Sequence, residues 1–168
     1  MIHPDVAGAV ALCGSLRGHS ETAAAEIDID IDIDNADYGA AVARIGTRRL
    51  RFRVGRVTPR KVGLFVAVWR RSPTGSTEPF PVDDVDHLVI LTREGLHSGQ
   101  FVFPRSALQR HGIVSVAGQG GKRGFRVYPP WSRTSNAQAI RTQAWQGAFF
   151  LDTSDGVDLE RLRELLDP

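Results

Sequence analysis

The stretch "RRLRFRVGRVTPRKVGLFVAVWRR", residues 48–71, decides the fold, because its hydrophobic rhythm changes part-way along. Over residues 48–57 apolar and charged side chains alternate. Leu50, Phe52 and Val54 share one face, Arg51 and Arg53 the other, which is the period of a strand with two unlike faces. The preceding "GAAVARIG" (39–46) reads as its hairpin partner, with the turn at Gly46-Thr47. Simple alternation would aim Arg56 at the apolar side. Either Gly55 makes a bulge that resets the register, or Arg56 is an inward cation at a strand end. From Thr58 the spacing becomes helical. Thr58 suits an N-cap and Pro59 a first helical position, and Val62, Phe65, Val66 and Trp69 recur at i, i+3, i+4 and i+7. This spacing predicts an amphipathic helix over 58–71 with Trp69 in the core.

Further strands read out of the rest of the chain. "DHLVILTR" (86–93) and "GQFVFP" (99–104) form adjacent strands joined around "EGLHS", and "IVSV" and "GFRVYP" form two more around the basic, Gly-rich turn 118–124. "EIDIDIDIDN" (26–35) alternates strictly and predicts a half-exposed strand. Its stacked Asp side chains point in parallel, so they make a solvated edge rather than a metal cage. "SPTGSTEPFP" (72–81) has the composition of a loop. Helices are expected over 5–17, from Pro104 to about Gln109, after the Ser135–Gln138 capping box, where Trp145 and Phe149 lie one turn apart, and along Leu159, Leu162 and Leu166. The fold class is therefore α+β, with a mixed, mostly antiparallel sheet flanked by helices. One domain is expected over 1–168: a core of about 36–150, an acidic N-terminal segment and a C-terminal helix.

Composition is that of an ordinary soluble globular chain, and the length suffices for a proper core. The single Cys13 excludes an internal disulfide, and no cation precedes the short apolar run at the start. Both point to a cytoplasmic protein with no membrane partner. The net charge of +2 hides a segregated pattern. Residues 38–77 hold ten Arg or Lys and no acid, residues 95–151 hold seven and no acid, and the carboxylates collect at the ends and in residues 78–94. Such blocks repel themselves unless they are spread over solvated faces or neutralised by an anionic partner or the acidic segments.

The clearest candidate for that partner's contact is "GKRGFRVYPPWSR" (121–133), which carries four cations, Tyr128 and Trp131, and no carboxylate. Arginine forks match phosphate oxygens, and aromatic faces accept any base. Lys122, Arg123, Arg126, Tyr128 and Trp131 are one candidate patch; Arg51, Arg53, Arg56, Arg60 and Lys61 are another. The competing reading buries Tyr128 and Trp131 under the next helix. Other chemistries lack support. Five scattered His and one Cys offer no zinc spacing, "GQGGKRG" (118–124) lacks the spacing of a phosphate-binding loop, and no cofactor site is legible.

Five phrases, "ADYGAAVARI", "RFRVGRVTPRKVGLFVAVW", "GQFVFPRSAL", "GKRGFRVYPPW" and "AQAIRTQAWQ", resemble in order the MepB family of bacterial proteins over roughly residues 36–150. The family is named after a gene beside a multidrug efflux regulator and transporter. The resemblance implies a restriction-endonuclease-like sheet and a nucleic-acid-binding role. In such nucleases an acidic residue precedes a Lys by two positions on a central strand. The corresponding "RVGR" (53–56) has Val54 and Arg56, which supply neither a metal ligand nor a base. The expected function is thus non-catalytic binding of DNA or RNA, as single strands. The rivals are a metal-dependent phosphodiesterase using Asp37 and Asp86, and a binder of small anionic ligands.

Overall fold

The computed structural model describes residues 1–16, 27–31 and 37–167. Its centre is a six-stranded sheet in the order β1-β2-β3-β8-β9-β11, built from β1 (Ile27–Ile31), β2 (Ala41–Ile45), β3 (Arg48–Val54), β8 (His87–Glu94), β9 (His97–Pro104) and β11 (Phe150–Asp152). All its pairings are antiparallel except β3 with β8. The excursion between those two parallel strands carries β4 (Arg56–Thr58), β5 (Lys61–Ala67), β6 (Trp69–Arg71) and β7 (Thr77–Pro79). A three-stranded sheet, β10-β5-β4, recruits β10 (Gly124–Val127) from later in the chain, and β6 and β7 form a short hairpin. Among the described residues four α-helices complete the fold: α1 (Pro4–Ser15), α2 (Arg105–Arg110), α3 (Ala137–Gly147) and α4 (Leu159–Leu166). The α+β class with a mixed, mostly antiparallel sheet is as expected.

The central sheet is covered on both faces, and its strands divide their side chains accordingly. Leu50 and Phe52 of β3, Val89 and Leu91 of β8, Val102 of β9 and Leu151 of β11 pack with α1 and α4. Leu88, Ile90, Phe101, Phe103 and Phe150 point the other way, against Leu64 and Val66 of β5, Phe125 and Val127 of β10, and Leu108 of α2. A strand buried on both faces reads as a continuous apolar run, which is why "HLVIL" lacks alternation.

The helix expected over 58–71 is not formed; β4, a turn, β5 and β6 occupy that stretch. Leu64, Val66 and Val68 are fully buried, a period of two that the helical spacing of Val62, Phe65, Val66 and Trp69 masked. Gly63 at φ +81° suits the strand's path and not a helix. Trp69 is half-buried in β6, outside both cores, with the Arg71 guanidinium 5.6 Å from its ring centre. The 72–81 loop contains the β6–β7 turn and β7, and "IVSV" contributes isolated bridges rather than a named strand. In the acidic repeat, Ile27–Ile31 pairs antiparallel with β2, whereas Asp32 and Asp34 lie outside the described residues. The cap of α3 is Asn136, one residue after the expected Ser135, its side-chain oxygen accepting from the Ala139 amide.

Candidate nucleic-acid interface

Tyr128 leaves β10 with its backbone held by α3. The Gln146 side chain is fully buried; its amide donates to the Arg126 carbonyl at 2.9 Å, and its oxygen accepts from the Tyr128 N–H at 2.8 Å. One turn earlier, Gln143 donates to the Pro129 and Ser132 carbonyls and accepts from the Thr134 hydroxyl. Two glutamines thus bond this segment directly to α3, satisfying backbone groups where Pro129 and Pro130, having no N–H, cannot continue a ladder. From the other side the β4–β5 tip closes in. The Tyr128 ring lies over Gly63, where an added Cβ would come within 2.7 Å of it. Arg126 donates to the Val62 and Gly63 carbonyls at 3.2 and 3.3 Å, and to the Thr58 hydroxyl.

Between the hairpin tip, β10 and α3 lies a cleft of about 640 Å³. Arg60 and Lys61 line it from the first acid-free block, Lys122 and Arg126 from the second. Tyr128, His111 and Trp145 add aromatic surface, and Thr134, Ser135, Asn136, Gln138 and Thr142 add polar groups. No carboxylate lines it among the described residues. The His111 imidazole stacks on the Trp145 indole, centroids 3.8 Å apart and planes 7° from parallel. Burial, and then the neighbouring Arg110, hold the His111 pKa below the usual histidine value. Neither His111 nor Trp145 was among the candidate site residues. Both sit on elements expected to be helical or to end a helix, and only tertiary packing brings them together.

Five of the ten expected site residues, Arg60, Lys61, Lys122, Arg126 and Tyr128, share this cleft. The other five lie elsewhere. Arg53 is corrected outright: at 0% exposure it is one of the largest fully buried side chains, donating to the Ala67 carbonyl at 3.2 Å and the Phe52 carbonyl at 2.8 Å, 5.2 Å from the Phe80 ring centre. Its strand face is covered by β5 rather than by water. Arg51 is tied to Asp84 through backbone and carboxylate oxygens and lies 4.4 Å from the Phe80 ring centre. Arg49 and Arg70 also pair with Asp84, so the acid of one block neutralises arginines of another.

Arg56 is neither inward nor in the cleft. The chain leaves the central sheet at Gly55, whose N–H donates to the Leu91 carbonyl, and Arg56 emerges exposed over the Tyr38 ring. Arg123 reaches away to the Thr77 carbonyl and hydroxyl. Trp131 is half-buried against the second core, its ring stacked on His97 and its N–H donating to Glu94 at 3.1 Å. The packed reading therefore fits Trp131, while Tyr128 combines packing with a place in the cleft.

Asp37 and Asp86 do not meet. Asp86 accepts from the Arg49 N–H at 2.7 Å and from Arg105 at 2.8 Å, near the start of β3. Asp37 precedes Gly39, which packs against Val54 at the strand's other end. Five residues of strand, about 16 Å, is too far for two carboxylates to ligate one ion. Among the described residues no three His, Cys, Asp or Glu side chains gather into a metal site.

The MepB-like family model matches residues 32–152. The chain belongs to this family. The crystal structure of MepB superposes with a TM-score of 0.72 at 31% identity, covering 86% of this chain and 96% of that one. A second solved structure, the bacterial homing endonuclease I-Ssp6803I, aligns over 84% of this chain and 86% of its own at 14% identity; its TM-score of 0.43 is too low to assign fold or chemistry. No curated protein matches the chain. No helix among the described residues is long and apolar enough to cross a membrane.

Proposed function

We propose that this MepB-like chain is a non-catalytic nucleic-acid-binding protein whose contact surface is the cleft between the β4–β5 tip, β10 and α3, and that it takes single strands. One observation carries the reading. Cations from both acid-free blocks converge on one cleft that also contains ring surface and, among the described residues, no carboxylate. Phosphates lie along Arg60, Lys61, Lys122 and Arg126, while polar groups at the start of α3 supply further donors. Unpaired bases suit the aromatic surface, because their faces are free to stack whereas those in a duplex are already occupied. A phosphodiesterase using Asp37 and Asp86 has no comparable support, since those carboxylates lie at opposite ends of β3 and Asp86 is engaged by Arg49 and Arg105.

Fluorescence anisotropy with labelled single-stranded and duplex DNA and RNA, over a salt series, tests the reading. The logarithm of affinity should fall linearly with the logarithm of salt. Replacing Arg60, Lys61 and Lys122 together by Gln should make the single-strand slope shallower by about 2, near 0.7 per lost phosphate contact. Absence of binding at low salt, or a slope unchanged by the triple substitution, overturns it.

A further inference from the structure

Four rings line the cleft, and their surroundings differ: Phe125 is buried in the second core, whereas the other three are partly buried. Tyr128 lies over the Gly63 backbone. Trp145 has one face under His111 and is flanked by Phe103 and Phe149, with ring centres at 5.3 and 6.5 Å. His111 is the outer layer of that stack, half-buried, with no second ring against it among the described residues. The stack therefore has one end packed against the core and one unfinished end.

Resting on the proposed function, we propose that His111 is the cleft's base-reading platform: one unpaired nucleobase stacks on the imidazole face opposite Trp145, forming a three-layer stack of indole, imidazole and base. The chemistry on both sides fits. A flat imidazole already held parallel to an indole loses little freedom when a third ring is added. The nearby cations Arg60, Lys61, Lys122 and Arg126 retain the phosphates of the same strand. The platform takes any base, because stacking uses the π-face that all bases share, so it distinguishes bases from bare phosphates and not one base from another. Trp145 acts through His111 as a positioning residue, and its packing against Phe103 makes it unsuitable for truncation.

The test compares an oligothymidylate with an abasic oligonucleotide of equal length, which has the phosphates without the bases. Wild-type protein should bind the thymidylate about tenfold or more tightly than the abasic strand. His111→Ala should abolish the preference for thymidylate over the abasic strand, and His111→Phe should restore it. If His111→Ala does not fold, His111→Gln, which keeps bulk without a ring, takes its place. Equal wild-type affinity for both strands refutes the platform but leaves the phosphate cleft standing. A preference that survives loss of the ring likewise refutes the assignment to His111. Failure to bind either strand overturns the underlying function and the platform with it.

Discussion

Two regions built from the same kind of sequence end in opposite environments. The arginines of β3 are closed in: Arg53 is fully buried under β5, Arg51 and Arg49 are paired with Asp84, and Arg48 reaches the Leu166 carbonyl and Asp167 in the α4 cap. A few residues later, Arg60 and Lys61 stand exposed at the tip of the β4–β5 hairpin and line the cleft. Each region also has its histidine. His87 is buried beside β3, and among the described residues neither ring nitrogen makes a hydrogen bond of normal geometry. His111 is half-buried on the cleft wall. Charge density along the chain is therefore no guide to charge density on the surface. What decides is whether a second layer covers the strand.

The sharpest way to break this comparison is to truncate one arginine in each region. Arg53→Ala removes the guanidinium's bonds to the Ala67 and Phe52 carbonyls and opens a cavity beside Phe80, and it should cost about 3–5 kcal/mol in urea unfolding. Arg60→Ala should leave stability unchanged and weaken nucleic-acid binding. If Arg53→Ala were equally harmless to the fold, the closed description of β3 would be wrong.

His87 gives the closed region a pH signature. Burial, and then Arg48, lower its pKa to about 4, against the smaller opposing pull of Asp86, Asp167 and the Leu165 carbonyl. The unfolded chain then binds the proton that the fold refuses. The stabilisation is full above the ordinary value of about 6.5 and is lost as pH falls towards 4, by roughly 3 kcal/mol. Unfolding free energies at pH 7 and pH 4.5 for wild type and His87→Phe isolate this share; it should vanish in the variant. Parallel losses in both proteins would assign the acid sensitivity elsewhere.

Gln146 joins the core to the cleft, and Gln146→Leu should cost about 2 kcal/mol by leaving the Tyr128 N–H and Arg126 carbonyl unpaired. It should also weaken strand binding although Gln146 itself is fully buried. Destabilisation with unchanged affinity would show that the Tyr128 segment does not shape the site.

The smallest expected effect belongs to His111. Its pKa is lowered in the free protein, and the phosphates of a bound strand raise it, so binding takes up a proton. Affinity should increase severalfold as pH falls through the bound-state pKa and level off below the free one. His111→Phe should remove that dependence while keeping the stack. The cleft groups around His111 are Arg60, Lys61, Lys122, Arg126 and Tyr128, with Arg110 beside it in the chain, and the imidazole is the one whose ordinary titration falls in the neutral range. A pH dependence that persists in the variant would come from another group.

Several elements were legible because local chemistry and tertiary context agree. The β2–β3 hairpin follows from alternation around Gly46-Thr47, the β8–β9 pair from two apolar runs around a short turn, and α4 from Leu162 and Leu166 on one face. The 58–71 stretch was misread because its apolar residues satisfy both periods. β5 finds partners on both edges, β4 from the same stretch and β10 from far along the chain, which pairs Arg126 with Phe65 and Val127 with Leu64, and this favours the strand.

By itself the sequence determined the α+β class, the two acid-free blocks and the combination of cations with aromatics at 121–133, since these rest on composition and short-range periodicity. The tertiary structure alone decided which charges face solvent. A strand's alternation separates two faces but does not say what covers each one. β5 falls across the arginine face of β3 and buries Arg53, while the hairpin tip and α3, both bonded to β10, leave Arg60, Lys61, Lys122 and the His111–Trp145 stack around an open cleft. That division depends on contacts between residues far apart in the chain, and no local pattern encodes it.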